Sequence, residues 1–81
     1  MGIIKETIDG KKILIEIQST NLKSAEYDTE SEDLTITFNN QSIYVYNKVP
    51  WNVFTKLRLA ESQGKYFNEN VSRKYTFTKV K

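Results

Sequence analysis

The chain has 81 residues and a formal net charge of +2, which fits one domain, because each half alone would be too short to bury a core. It contains no cysteine and no histidine, so disulfides, the common zinc sites and the Ser–His or Cys–His pairs of covalent catalysis are excluded. It has no run of about 20 apolar residues for a membrane span, and residues 1–6 lack a signal-peptide pattern. We therefore expect a single domain, residues 1–81, in the cytoplasm, a reducing compartment that suits a chain without cysteine.

The first elements are predicted to form a β-hairpin. Two β-branched runs, residues 3–8 and 11–17, flank Asp9-Gly10, a pair that favours a two-residue type I′ turn. A strand alternates its side chains between two faces. Leu14 therefore points away from the face shared by Ile13, Ile15 and Ile17.

An acidic stretch follows a short run at residues 22–27. Residues 28–32 are polar and predict an exposed loop, so Asp28 and Glu30 have no apolar surroundings to raise a carboxyl pKa for acid–base catalysis. An EF-hand loop starting at Asp28 would need Gly and Glu where Asp33 and Asn39 stand. We therefore expect no catalytic residue, no metal site and no cofactor.

The next two strands complete an antiparallel meander. Alternation over residues 34–38 and 43–46 predicts half-buried strands with a turn between them. Tyr44 and Tyr46 share one strand face, opposite Ile43 and Val45. They form either a base-stacking platform or a packed pair, beneath the N-terminal hairpin or between subunits.

One main helix is predicted over residues 50–63. Pro50 suits a first turn, and Gly64 would end the helix in the left-handed conformation. Residues 65–71 would add one or two helical turns, and residues 75–80 a last strand. The apolar stripe that should pack on the sheet comprises Val53, Phe54, Leu57 and Ala60.

The predicted fold class is therefore α+β. An antiparallel sheet of five to six strands consists of an N-terminal hairpin, a central meander and a C-terminal strand, and the main helix packs on it. Trp51, Thr55 and Leu59 lie off the core stripe of that helix. In so small a protein this apolar strip, or the N-terminal hairpin, predicts a homo-oligomer interface.

Charge divides the chain into two regions. Residues 1–55 carry five lysines and eight acids, whereas residues 56–81 carry seven bases and two acids. The two regions are either solvated faces or an acidic surface and a cationic surface that receives an anion.

The basic third contains the candidate ligand-binding residues. Lys65 after Gly64 is either a solvated lysine past a helix C-cap or part of a phosphate-binding helix start. Lys65, Arg73 and Lys74 would neutralise phosphate, and Tyr66 or Tyr75 would cover a base, where subunits meet.

Several segments together resemble the KTSC domain from about Ser19 to the end of the chain. This resemblance implies a family core at residues 19–81 and a hairpin extension at residues 1–18. It also implies RNA as a ligand, since the family occurs attached to some lysyl-tRNA synthetases and as stand-alone bacterial and phage proteins. Glu26, where glycine is usual, and Ser72-Arg73, where Arg-Gly is common, depart from the pattern. The matching segments are residues 21–28 (NLKSAEYD), Tyr44-Val45-Tyr46, Val49-Pro50, residues 60–68 (AESQGKYFN) and Lys74-Tyr75.

These observations predict a non-enzymatic small binding module for a phosphate-bearing ligand, either a nucleotide signal or RNA. It would act in the cytoplasm of a bacterial host cell, with ligand sequestration by a phage-type protein as one setting. The alternative is a protein-interaction or structural oligomerisation module, since separate acidic and basic regions also suit contacts between proteins.

Overall fold

Six antiparallel strands lie side by side in chain order and carry two helices. The structure is a computed structural model that describes residues 2–81, with side-chain surroundings from residue 5 onward. The predicted α+β class, with its N-terminal hairpin, meander and C-terminal strand, is confirmed. The strands are β1 (Gly2–Asp9), β2 (Lys12–Gln18), β3 (Leu22–Asp28), β4 (Leu34–Phe38), β5 (Ile43–Tyr46) and β6 (Phe77–Lys79), and the helices are α1 (Trp51–Leu59) and α2 (Gln63–Asn70).

The turn of the first hairpin is one residue later than predicted. Asp9 pairs with Lys12, so Gly10 and Lys11 form the turn. A type I′ turn needs positive φ at both central residues. Gly10 has a φ of 61°, whereas Lys11 is not among the residues of the 2–81 range that have a positive φ. The hairpin prediction is confirmed and the type I′ assignment is wrong, because positive φ at the first central position alone belongs to type II′.

The core lies on one face of the sheet, where two rows of paired residues cross all six strands. Ile13, Ile15 and Ile17 are buried, as predicted, whereas Leu14 on the other face is 37% exposed. The first row runs Ile8, Ile13, Tyr27, Leu34, Tyr46, Phe77, and the second runs Glu6, Ile15, Ala25, Ile36, Tyr44, Lys79. Row one is apolar or aromatic at every strand, so both helices pack above it.

The predicted helix at residues 50–63 ends earlier than expected, at Leu59, and a second helix, α2, follows from Gln63. Ala60 has an extended backbone, with φ −67° and ψ 144°, and α2 starts at Gln63. The Gln63 Nε2 donates to the carbonyl oxygens of Arg58 at 3.3 Å and Ala60 at 3.0 Å, which supplies partners that the end of α1 lacks. The predicted further helical turns are present as α2, and Gly64 lies in its first turn rather than in a left-handed cap.

Each helix covers a different part of the sheet. Phe54 of α1 stacks on Tyr27 of β3, with ring centroids 4.6 Å apart, and Leu57 beside it is fully buried. Phe67 of α2 meets Phe38 of β4 and Tyr46 of β5 edge-on, at 5.6 and 5.3 Å. Within residues 2–81, neither helix is long and apolar enough to cross a membrane.

Leu57 and Leu59 offer a matched test of the α1 orientation. Leu57 is 0% exposed and Leu59 is 79% exposed. We expect Leu57→Ala to lower the free energy of unfolding by about 2–4 kcal/mol, because it leaves a cavity under the helix. Leu59→Ala should change it by less than about 0.5 kcal/mol. Urea unfolding measures both, and equal losses would contradict this orientation.

Tyr27 predicts a loss of stability in alkali. Burial, followed by the nearby carboxylates of Glu32 and Asp28, raises the pKa of the Tyr27 hydroxyl. The folded state therefore keeps this proton while the unfolded chain loses it near pH 10, and stability falls as the pH rises through the folded pKa. We expect Tyr27→Phe to destabilise at pH 7, by about 1–2 kcal/mol for the lost hydrogen bond.

The variant should also lose less stability than the wild type between pH 9 and pH 11. Urea unfolding at both pH values measures the difference between the two proteins. A difference that stays constant over this range would contradict the assignment to Tyr27.

Candidate ligand-binding site

An open cleft of about 590 Å³ lies where α2 meets the turn between β2 and β3. A second cleft of about 280 Å³ shares Thr20 and Asn21 with the first, so the two form one concave surface. The first cleft is lined by Thr20, Asn21, Ser62, Gly64, Lys65, Asn68 and Glu69, and the second adds Phe38, Asn39 and Asn40.

The floor of the cleft is held by hydrogen bonds between two turns. Ser19 Oγ donates to Asn21 Oδ1 at 2.9 Å and accepts from the backbone N–H groups of Asn21 and Leu22. Asn39 Nδ2 donates to the Ser19 carbonyl at 2.9 Å, and the Asn39 N–H donates to the Asn21 carbonyl at 2.9 Å. These bonds fix Asn21 and Asn39 before any ligand arrives.

Gly64 allows α2 to approach this floor. A Cβ at position 64 would lie 2.3 Å from Asn21 Oδ1 and 3.0 Å from Ser19 Oγ, closer than atoms tolerate. Ser62 caps the helix, since its Oγ accepts from the Lys65 N–H at 3.3 Å. Glycine is therefore required here for close packing rather than for a left-handed backbone.

The predicted cations lie along α2 instead of around one point. Lys65 is exposed in the first turn and lines the cleft. Arg73 and Lys74 are exposed in the turn after the helix, where the Lys74 N–H donates to the Val71 carbonyl. Both therefore lie beyond the C-terminal end of α2, whereas Lys65 is five residues before that end, about 8 Å along the helix axis.

Tyr66 and Tyr75 come together beside this path. Both rings are half-buried and pack against the core. Burial, and secondarily the neighbouring Tyr75, raises the pKa of the Tyr66 hydroxyl. A base could therefore reach the exposed part of these rings.

Tyr44 and Tyr46 share a face as predicted, but that face is the helix-covered one. Their rings stack with centroids 6.5 Å apart. Tyr46 is 4% exposed and contacts Phe67 and Phe77, and Tyr44 is half-buried against Phe38. The pair therefore packs beneath α2 and beside Phe77 of β6 rather than beneath the N-terminal hairpin. The buried ring of Tyr46 is inaccessible to a base.

The predicted interface residues do not behave alike. Trp51 is 47% exposed and Leu59 is 79% exposed, whereas Thr55 is half-buried with its hydroxyl oxygen inaccessible. Arg58 lies between them and Glu6 of β1, donating to its carboxylate at 3.2 Å. The exposed side of α1 is therefore next to strand β1.

Lys65, Arg73 and Lys74 take part in none of the ion pairs among the described side chains. Among the described side chains, residues 5–81, the ion pairs are Lys11–Glu30, Lys12–Glu26 and Arg58–Glu6. Of the seven bases after residue 55, these pairs include Arg58 alone. The acidic loop follows the far end of β3, about 20 Å along the strand from Leu22 near the cleft, so its charge does not reach Lys65.

The amide side chains of the cleft were missed by sequence reasoning. They comprise Asn21, Asn39, Asn40 and Asn68, from three separate parts of the chain. Asn21 and Asn68 stand in segments that carry the family resemblance. The sequence signal that could have identified these two residues was their position in those segments, where they are not part of an apolar pattern.

Comparison with known proteins identifies the family. The model of the KTSC domain matches residues 18–75, and the chain belongs to this family. A crystal structure of a KTSC domain protein from Yersinia pestis superposes with a TM-score of 0.81 at 26% identity, covering 86% of this chain and 99% of that one.

Two relatives show the contexts in which similar sequences occur. A lysine–tRNA ligase of Nostoc punctiforme is 33% identical over 67 residues, which are 83% of this chain and 12% of that enzyme. An uncharacterised protein of Stutzerimonas stutzeri is 36% identical over 55 residues, which are 68% of this chain and 78% of that protein. The chain therefore spans about an eighth of the ligase and most of the smaller relative.

The contact between Gly64 and Asn21 can be tested by a double-mutant cycle. We expect Gly64→Ala to destabilise by about 1–2 kcal/mol, because the new Cβ displaces the Asn21 amide from Ser19. In an Asn21→Ala background the same change should cost at least about 1 kcal/mol less, because the contact at 2.3 Å is gone and the tighter-than-usual contact with Ser19 Oγ at 3.0 Å remains. Urea unfolding of the four proteins gives the coupling, and independent effects would contradict the close approach.

Proposed function

We propose that this chain is a non-enzymatic binding module for a phosphate-bearing ligand that also carries a base. The observation that carries the proposal is the arrangement of exposed cations without ion-pair partners among residues 5–81. Lys65 lies in the first turn of α2, Arg73 and Lys74 lie in the turn after it, and all three are exposed. The acidic loop is at the other end of the sheet, and residues 56–81 carry seven bases against Glu61 and Glu69, so an anion approaching α2 meets a net positive charge.

The cations and the amides would have different roles. Lys65 would bind a phosphate at the rim of the cleft, and the planar guanidinium of Arg73 would bind another in two-point fashion. Asparagine amides donate and accept in the pattern that base edges present. Asn21 and Asn68 line the cleft and would bind such an edge there.

The spacing of the cations bears on the size of the ligand. Lys65 and Arg73 stand on either side of the end of α2, separated by about 8 Å of helix from Lys65 to Asn70 and by the turn that follows, so a ligand that binds both would carry more than one phosphate. The lysine–tRNA ligase relative supports RNA, since its name is that of an enzyme acting on tRNA. The net charge of +2 supports a compact nucleotide, because general nucleic-acid binding needs a more basic domain.

A module of this kind would act by holding its ligand. Glu69 is the one carboxylate among the residues that line the two clefts, so these clefts offer no pair of carboxylates for acid–base catalysis. We therefore propose no turnover of nucleotides, RNA or peptides. Sequestration of a nucleotide signal in a bacterial or phage-infected cell is one use of such a module.

The exposed side of α1 supports a second function, protein interaction. Trp51 and Leu59 are large apolar side chains with 47% and 79% of their surfaces exposed. Tryptophan is one of the residues that are enriched at the centres of protein interfaces. A partner protein bound there would leave the cations of α2 free.

Calorimetry with the full chain tests the first function. The probes are a mononucleotide, a cyclic dinucleotide, ADP-ribose and single-stranded RNA of about eight nucleotides, a length that binding sites for single strands accommodate. We expect at least one to bind with Kd below about 1 mM. Lys65→Ala, Arg73→Ala and Lys74→Ala should each weaken it by about two- to fivefold, as the loss of exposed ion pairs does.

The matched control is Lys12→Ala, which removes a positive charge at the acidic end of the sheet. It should leave the affinity unchanged. Equal effects of all four substitutions would indicate general charge attraction, and no effect of the three α2 variants would place the site elsewhere. If no probe binds below about 1 mM, the protein-interaction function is favoured.

A further inference from the structure

Strand β1 is an edge strand with paired residues on one side. The sheet order places it at one end, beside β2, and it extends over eight residues, Gly2–Asp9. The opposite edge, β6, has three residues. A long edge without proline presents a row of unpaired backbone groups that another strand can bind.

Among residues 5–81, four of the six exposed large apolar side chains lie near this edge, and the other two, Phe77 and Val80, lie in or after β6. Ile8 is 67% exposed on the face that carries the helices, and Leu14 of the adjoining strand is 37% exposed on the other face. Trp51 and Leu59 lie on the side of α1 that Arg58 connects to Glu6 of β1. Apolar surface on both faces of one edge indicates a partner that continues the sheet.

We propose that β1 pairs with β1 of a second copy of this chain, antiparallel, about a two-fold axis midway between the two copies of Thr7. A two-fold axis perpendicular to the sheet keeps each residue on its own face, so it must lie midway between two copies of one residue. An axis between the two copies of Lys5 or of Glu6 would set that charged residue against itself. An axis between the two copies of Ile8 would leave little of the strand to pair.

The register through Thr7 brings opposite charges together. It places Lys5 opposite Asp9 of the second copy, twice by symmetry. Within one chain Lys5 pairs with Glu16, and Asp9 pairs with Lys12. The row of side chains across the dimer interface therefore contains Glu16 and Lys5 of one copy, followed by Asp9 and Lys12 of the other. The charge alternates in sign at every step of this row.

The helix-bearing face is complementary in the same register. Ile8 lies opposite Glu6 of the second copy, whose carboxylate accepts a hydrogen bond from Arg58. The isoleucine therefore meets the aliphatic part of a neutralised pair rather than a free charge. On the other face Thr7 pairs with Leu14 in each chain, so the two threonines and two leucines form one apolar row.

This interface lies away from the proposed ligand site. The rings of α2 contact β4 and β5, whereas β1 is the far edge of the sheet. A variant can therefore lose self-association and keep ligand binding, or the reverse. The two proposals are tested by separate experiments.

A charge-exchange experiment tests the register. K5E carries negative charge at both positions 5 and 9, and D9K carries positive charge at both, so each protein alone faces two like-charge pairs. Mixed together, one copy of each forms two opposite-charge pairs. Analytical ultracentrifugation and native mass spectrometry should show that each variant self-associates about tenfold more weakly than the wild type, ~1.4 kcal/mol, and that the mixture forms a heterodimer with near wild-type affinity.

Control variants keep the test independent of folding. K56E, at an exposed residue of α1, should dimerise like the wild type, and far-UV circular dichroism should show every variant folded. I8E tests the same register from the other face, since it opposes Glu6 of the second copy and should also weaken the dimer. A monomeric wild type, or a mixture of K5E and D9K no better associated than either alone, would overturn the proposal.

Discussion

The buried hydroxyl of Tyr27 is the contact on which the arrangement of sheet and helices depends. It donates to the Val49 carbonyl at 2.7 Å, immediately before α1, while its ring stacks on Phe54 at 4.6 Å. The Val49 N–H in turn donates to the Glu32 carbonyl at 2.9 Å. A buried carbonyl and a buried hydroxyl each need a partner, so these bonds hold the chain that leaves β5 against β3. The direction of α1, and the burial of Leu57, follow from that exit point.

The two helices stabilise chemically different halves of one apolar face. Phe54 and Leu57 cover the part where Ile13, Ile15 and Tyr27 lie, whereas Phe67 packs edge-on against the aromatic part around Tyr46. The break between the helices is closed by Gln63, which binds two carbonyls at the end of α1. α2 can then reach the turn at residues 19–21, where Gly64 allows contact. The cleft thus forms where core packing brings α2 against a turn that is held by hydrogen bonds.

Patterns that depend on neighbouring residues were predictable from the sequence, and contacts between distant segments were not. Period-two alternation gave the strands, because a half-buried strand imposes that pattern locally. The predicted helix end at residue 63 was wrong, because Gln63 binds carbonyls at the end of α1 and Ser62 caps α2 through bonds that no apolar periodicity records. Gly64 suggested a helix end, yet the structure requires it for Asn21, which is remote in sequence. The cleft amides have no periodic signal, whereas the cations Lys65, Arg73 and Lys74 were visible through composition, although their separation along α2 was not.

Pairing through β1 would also determine how two ligand sites are presented. A two-fold axis perpendicular to the sheet leaves both pairs of helices on one face of a sheet of twice the width. The two clefts would then lie on the same face, on either side of the joint, each beside its own α2. A small nucleotide gains nothing from this duplication, since it fills one cleft. A polymer such as RNA could engage both, and the second contact would form at the high effective concentration set by the first. Self-association would therefore shift the preference of such a module towards extended ligands, without any change in the residues of either cleft.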